Sequence, residues 1–94
     1  MIVVNKRTHR PTGKDLYIGR PSEWGNPFSI NEYTRADVIQ LYRQHLWQLI
    51  QADRTWIDKL QALDQYDYLV CWCKPADCHG DVIVRAHEWA IVQK

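Results

Sequence analysis

The sequence lacks long apolar runs, and none approaches the roughly 20 residues that a helix needs to cross a bilayer. Residues 1–5 have neither the basic segment nor the long apolar segment of a secretory signal, so no signal peptide is predicted. An odd number of cysteines, three, is a poor framework for disulfide bonds. We therefore expect no membrane association and a reducing, cytoplasmic compartment.

The sequence also lacks a strong net charge. The value of +1 makes nucleic-acid binding unlikely, because such domains are usually strongly basic. Within residues 1–20, however, five basic residues face one acidic residue. Such local basicity suits an anionic ligand, for example a phosphate group, although a solvated basic loop has the same composition. With 94 residues, 46% of them apolar, the chain is expected to form one domain, residues 1–94, around a modest core.

Three segments have the composition of β-strands. Residues 2–4 are a short β-branched run, residues 16–18 form a weaker candidate, and residues 68–73 form a second confident strand. The run from 69 to 72 is almost continuously apolar, which is typical of a strand covered on both faces. Alternation sends Cys71 and Cys73 to one face, and Pro75 is expected to end the strand.

Three helices are predicted between and after these strands. Thr34 followed by Asp37 is a capping signal, and apolar residues then recur at helical spacing to about residue 51. Thr55 is expected to cap a shorter helix in the same way. The last helix begins near Cys78 and covers residues 79–92.

This order of elements predicts an α/β domain. Residues 2–4 and 68–73 would be joined by a crossover that contains helices, so they are expected to be parallel and near neighbours. The predicted architecture is a small two-layer or three-layer sandwich with a short, mostly parallel, Rossmann-like sheet.

A polar turn at residues 73–81 carries the residues best suited to chemistry. It lies at the carboxyl end of a predicted strand, where open sheets bind ligands, and at a helix N-terminus, which favours anions and thiolates. Cys78, His79 and Asp81 are the candidate catalytic residues; His79 would act as a general acid or base. Cys73 and Gly80 are candidate ligand-binding residues, Gly80 because it permits close backbone approach.

Simpler roles remain open for the same residues. Asp81 is also the type of residue that begins a helix, and the alternative role for His79 is that of a polar residue bonded to the backbone of the first turn. Gly80 would then only relieve crowding.

The loop at residues 20–28 is the second candidate part of the site. Two prolines and a glycine forbid regular structure there, while its apolar residues should pack it onto the domain. Arg20 would contact a phosphate or carboxylate, Trp24 would stack on a base, and Asn26 would line the pocket. Alternatively, the loop merely covers one edge of the core.

A metal site is the competing interpretation of the cysteines. Cys71, Cys73, Cys78 and His79 form a formal zinc-binding set. Their spacing differs from the usual cysteine pairs of zinc knuckles, and Cys71 lies in an apolar strand where cysteine acts as a small hydrophobe. The sequence therefore predicts no bound metal, and no cofactor is indicated.

These motifs resemble a known family, the domain of unknown function 4326, found in small bacterial and phage proteins. The resemblance is carried by four stretches in chain order, at residues 17–21, 24–28, 70–75 and 78–82. The resemblance marks the stretches that chemistry also singles out, namely the Arg20 loop, the 25–28 loop and the 73–81 turn, and it implies a phage or mobile-element origin. It implies no activity.

The leading hypothesis is a small cytoplasmic protein that either binds, or binds and processes, a nucleotide-like anionic small molecule at the 73–81 turn. On this hypothesis Arg20, Asn26, Cys78, His79 and Asp81 lie around one concavity. One alternative is an interaction protein of phage type that inhibits a host protein partner through an aromatic surface. The other is a nucleic-acid binder that uses the basic stretch from Lys6 to Arg20.

Overall fold

The computed structural model describes residues 1–28, 32–74 and 76–93. These residues form a small α/β domain, as predicted, with elements listed here in chain order: β1 (Ile2–Asn5), β2 (Asp15–Tyr17), α1 (Arg35–Ala52), α2 (Thr55–Ala62), a 3₁₀ turn (Leu63–Gln65), β3 (Tyr68–Cys71) and α3 (His79–Ile91). None of the helices in this part of the chain has the length and apolar character to cross a membrane.

The three strands form a parallel sheet in the order β1-β3-β2. Leu69 of β3 is in register with Val3 of β1 on one side and with Leu16 of β2 on the other. The prediction that the first and last strands are parallel neighbours is therefore confirmed. Leu69 is fully buried because the last strand of the chain is the central strand of the sheet.

Helices cover one face of this sheet. Leu69 and Cys71 point to that face and belong to the main core cluster, with Val3 packed against it. On the opposite face, the His9 ring packs on the Tyr68 ring with 4.5 Å between centroids, so a loop provides the cover there. Of the two predicted architectures, the two-layer arrangement fits, because the described residues place helices on only one face of β3.

The helix starts agree with the sequence at α1 and differ at α2. Thr34 caps α1, since its hydroxyl accepts a hydrogen bond from the Asp37 N–H at 3.2 Å. Thr55, in contrast, is the first residue of α2, so its predicted role as the cap was wrong. The Asp53 carboxylate accepts hydrogen bonds from both the N–H and the hydroxyl of Thr55, so Asp53 is the residue that satisfies a free N–H group at the start of this helix.

Strand β3 ends at Cys71, two residues earlier than predicted. The Asn5 amide explains this early end, because it donates to the carbonyl of Trp72 at 3.1 Å and to that of Lys74 at 2.6 Å. These carbonyls therefore turn towards a side chain instead of continuing the sheet. Pro75, the predicted end of the strand, lies outside the described residues.

Candidate functional site

The carboxyl ends of all three strands lie at one edge of the sheet, because the strands are parallel. Asn5, Tyr17 and Cys71 are the last residues of the strands, so the three following loops are neighbours in space. Crevices at this edge are the usual ligand sites of open α/β sheets.

A cleft of about 430 Å³ opens at this edge. Its walls come from the loop after β2, the beginning of α1 and the turn between β3 and α3. Its polar and aromatic lining residues include Arg20, Asn26, Arg35, Trp72, Cys73 and His79. The cleft thus brings together four of the predicted site residues and two that were not predicted.

Two arginines against one acidic residue, Asp77, give the cleft wall a net positive charge. Arg20 and Arg35 are both exposed, and Arg35 Nη1 donates to the Asp77 carbonyl at 3.1 Å. Within the described ranges neither guanidinium forms an ion pair with a carboxylate. Because guanidinium groups match the geometry of carboxylates and phosphates, this wall is suited to an anion.

Trp24 cannot stack on a ligand, so its predicted role was wrong. Its side chain is 4% exposed and packs edge-to-face on Trp56, with 5.3 Å between ring centroids. The Trp24 carbonyl also accepts a hydrogen bond from the Tyr42 hydroxyl at 2.8 Å. The loop after β2 is anchored through this indole, which leaves no free ring face.

Asn26 holds the same loop against α1. Its Nδ2 donates to the Val38 carbonyl at 3.3 Å, and its Oδ1 accepts from the Phe28 N–H at 2.9 Å. Asn26 therefore shapes the wall of the cleft, in agreement with its predicted position.

Trp72 is the exposed aromatic residue of the cleft. Its side chain is 52% exposed, and its indole N–H donates to the Tyr17 hydroxyl at 3.1 Å. Lys6 Nζ lies 5.8 Å and Arg7 Cζ 5.9 Å from the ring centroid, within the range of cation–π interactions. Aromatic surface and positive charge therefore meet at the rim.

Sequence reasoning missed Trp72 and Arg35. Trp72 was assigned to the strand interior, although its place next to the polar turn is a signal that the strand had ended. Arg35 follows the Thr34 cap directly, and a basic residue at the start of a helix is unfavourable there without an anionic partner.

Cys78 is buried and serves as the N-cap of α3. It is 1% exposed, its thiol donates to Cys71 Sγ at 3.0 Å, and its sulfur accepts the Gly80 N–H at 3.4 Å. The hydrogen bond to Cys71 raises the pKa of Cys78. The same bond lowers the pKa of Cys71, helped by the backbone N–H groups of Cys73 and Lys74. Cys78 is therefore poorly suited to act as an exposed nucleophile.

His79 lines the cleft from a buried position, with 6% of its surface exposed. Its Nε2 lies 2.9 Å from the Ile18 carbonyl, which can only accept, so Nε2 carries the proton and Nδ1 has the lone pair. Nδ1 lies 3.6 Å from Cys78 Sγ. Burial lowers the pKa of His79, which favours the neutral ring.

Asp81 lies outside the cleft. Its carboxylate contacts Lys74 Nζ at 2.8 and 3.0 Å and accepts the Cys78 N–H at 3.4 Å, completing a capping box. Asp81 and Cys78 line a neighbouring depression instead. The structure therefore does not bring Asp81 to the same concavity as Arg20, and its contacts are those of a helix-start residue.

Gly80 allows close packing of α3 against the sheet. A Cβ atom at this position would lie 2.7 Å from a methyl of Val3 and 2.9 Å from the Ile18 Cδ1. Its N–H, like that of Cys78, is already used within the cap. The predicted role of Gly80 in approaching a ligand has no support in this geometry. The arginines are better placed to donate hydrogen bonds to an anion.

The sulfur atoms of Cys71, Cys73 and Cys78 form a compact cluster behind the cleft. All three lie within 4.8 Å of one another, and Cys71 and Cys73 reach the cleft wall. Three thiols at such distances are a chemically reasonable set of ligands for a thiophilic metal ion.

Comparisons with known proteins point to a family and to a phage relative. The family model described as "Domain of unknown function (DUF4326)" matches residues 3–89. The chain is 31% identical over 71 residues to the "Uncharacterized 12.4 kDa protein in nrdA-td intergenic region" of Enterobacteria phage T4. That alignment covers 76% of this chain but 65% of the relative, so the chain spans less than two thirds of the relative's length. No solved structure matches the chain.

Proposed function

Since the chain belongs to the family described as domain of unknown function (DUF4326), we propose its function from the cleft itself: it binds a nucleotide-like anionic small molecule there. The observation that carries this proposal is the presence of Arg20 and Arg35 in one cleft with the exposed indole of Trp72. The guanidinium groups would bind a phosphate or carboxylate, and the indole would stack on a base.

The size of the cleft supports a small-molecule ligand. About 430 Å³ lies within the range of roughly 300–1,000 Å³ that is usual for such sites. The proposal concerns binding. The predicted chemistry of Cys78, His79 and Asp81 stays a separate prediction, and of these three residues His79 lines the cleft.

A cytoplasmic location is part of the proposal. Three free thiols, two of them buried next to each other, suit a reducing compartment. For a phage-encoded protein this compartment would be the cytoplasm of the bacterial host.

Calorimetric titration with adenosine and guanosine monophosphates, and with inorganic phosphate as a probe that lacks a base, tests the proposal. Arg20→Ala and Arg35→Ala should each weaken nucleotide binding by about 10-fold or more, because a hydrogen bond to a charged group is worth roughly 1.5–3 kcal/mol. Arg54→Ala, an exposed arginine at the start of α2, is the matched control.

The proposal would be contradicted if the wild-type protein bound none of these probes. An equal loss of affinity in Arg54→Ala would contradict it as well, because that arginine is not part of the cleft wall. A steep loss of oligonucleotide binding with salt would instead favour the nucleic-acid alternative.

A second candidate function, binding of a host protein partner, is favoured by an apolar groove between α1 and α3. This groove has a volume of about 460 Å³, and the rings of Trp47 and Trp89 meet edge-to-face in its wall at 5.4 Å. Trp47 is 47% exposed, and tryptophans are frequent anchors of protein interfaces. A host protein captured by the wild type should be lost by Trp47→Ala and retained by Trp72→Ala. If both variants retained that protein, the groove would not be its binding site.

A further inference from the structure

We propose that Cys71, Cys73 and Cys78 bind a zinc ion, contrary to what their spacing in the sequence suggests. The proposal is independent of nucleotide binding. It rests on the positions of the three sulfur atoms, on the backbone groups around them and on the open space at the cleft.

The sulfur separations bracket those of a zinc–thiolate centre. Zinc–sulfur bonds of about 2.3 Å in tetrahedral geometry place neighbouring sulfurs about 3.8 Å apart. Here the Cys71 and Cys78 sulfurs are 3.0 Å apart, and all three sulfurs lie within 4.8 Å. The short separation reflects a thiol-to-sulfur hydrogen bond, which is lost when zinc displaces the proton.

A backbone N–H group already points at one of the sulfurs, since the Gly80 N–H donates to Cys78 Sγ at 3.4 Å. This donor would offset part of the negative charge that three thiolates leave on a zinc centre, and it helps to fix the direction of the Cys78 sulfur.

The fourth coordination position would face the cleft. Cys71 and Cys73 both line it, so a water molecule or a ligand atom can approach the metal from that side. His79 is a neighbour of the cluster, with Nδ1 3.6 Å from Cys78 Sγ, but the group of potential ligand atoms consists of the three sulfurs. A centre with three protein ligands and one open position is the arrangement of zinc sites that act on substrates.

The fold explains why spacing was misleading. Zinc knuckles hold cysteine pairs in one local loop, whereas here the end of β3 supplies Cys71 and the cap of α3 supplies Cys78. The turn between them returns Cys73 to the same side. Packing of a helix onto a strand, which spacing alone does not reveal, creates the cluster.

Metal analysis of the full chain tests this inference. Protein produced in zinc-supplemented medium and purified under reducing conditions should contain about one zinc per chain by elemental mass spectrometry. Cys73→Ser is the decisive variant, because Cys73 is half-buried in a loop and its loss should leave the fold intact. We expect it to lower zinc affinity by more than about 100-fold in a competitive chelator titration.

Arg54→Ala is the control and should retain zinc, because this exposed arginine is not part of the cleft wall. Cobalt(II) added to the metal-free protein should give a thiolate charge-transfer band in the wild type that weakens in Cys73→Ser. The proposal would be overturned if wild-type protein from zinc-supplemented medium contained no zinc, or if Cys73→Ser bound zinc with wild-type affinity. A Cys71–Cys78 disulfide in freshly purified reduced protein would overturn it as well and would indicate a redox pair.

Discussion

The indole N–H of Trp72 donates to the Tyr17 hydroxyl at 3.1 Å, and that hydroxyl donates to the Arg20 carbonyl at 3.0 Å. This chain of two hydrogen bonds joins the loops that follow β2 and β3. The exposed indole and the arginine loop are therefore positioned by the same tyrosine. A ligand that uses both would meet a wall that is already organised.

The two tryptophans near the cleft should respond to mutation in opposite ways. Trp24→Ala should lower the free energy of unfolding by about 3–5 kcal/mol, because it removes a buried indole from the core. Trp72→Ala should leave the melting temperature nearly unchanged and weaken nucleotide binding by roughly 5-fold to 100-fold, since stacking is worth about 1–3 kcal/mol. Thermal unfolding measures the stability of both variants, and calorimetry measures their nucleotide affinity. An unchanged affinity in Trp72→Ala would show that this indole does not stack on the ligand.

Gly80 should tolerate no side chain. In Gly80→Ala the new Cβ would meet Val3 and Ile18 at under 3 Å, and we expect a loss of about 1–3 kcal/mol from overpacking. Gly13→Ala is the matched control, because nothing lies within 4 Å of a Cβ there, so stability should be unchanged or slightly higher. Chemical denaturation of both variants decides; equal stability would show that α3 can move away from the sheet.

Asp15 should contribute to stability in a pH-dependent way. Its carboxylate accepts the hydroxyl and the N–H of Thr12 at 2.7 and 2.9 Å and lies 3.2 Å from His9 Nε2. These contacts, those of Thr12 above all, lower the pKa of Asp15 below its ordinary value of 3.8.

A lowered folded-state pKa means that this contribution is present above pH 3.8 and is lost as the pH falls through the folded-state pKa. Asp15→Asn should therefore be less stable than the wild type at neutral pH, and the difference should shrink towards strongly acidic pH. Melting temperatures of both proteins across this range measure the effect. A constant difference at every pH would assign the loss to packing.

Asp81 should prove structural. Asp81→Ala removes the capping box and the Lys74 contact, and we expect a loss of about 0.5–2 kcal/mol in the free energy of unfolding. Nucleotide affinity should stay within about two-fold, because Asp81 does not line the cleft. If binding or activity were lost while stability was retained, the earlier prediction of a catalytic Asp81 would gain support.

The fold was largely predictable because its signals are local. β-branched runs marked β1 and β3, and the Thr34 cap with apolar residues at helical spacing marked α1. The parallel pairing followed from the helices between the strands. The start of α2 near Thr55 was predicted, but its capping residue was not, because the Asp53 carboxylate two residues earlier accepts the Thr55 N–H.

The two segments that meet at the candidate cleft were predictable, but not all of the residues that line it. Sequence patterns pointed to the Arg20 loop and to the turn after β3, which do meet at the cleft. They did not distinguish Trp24 from Trp72, because exposure depends on where β3 ends and on which loop is anchored. The grouping of three sulfurs likewise depends on how α3 packs on the sheet, and that information is tertiary.

The position of β3 between β1 and β2 has a consequence for folding. The first two strands have no hydrogen-bonded partner until the third, which is far along the chain, inserts between them. The sheet therefore depends entirely on contacts of long sequence separation, a feature that slows folding. During synthesis, β1 and β2 would wait with unpaired edges until residues 68–71 left the ribosome, and this interval is when the chain is most exposed to aggregation.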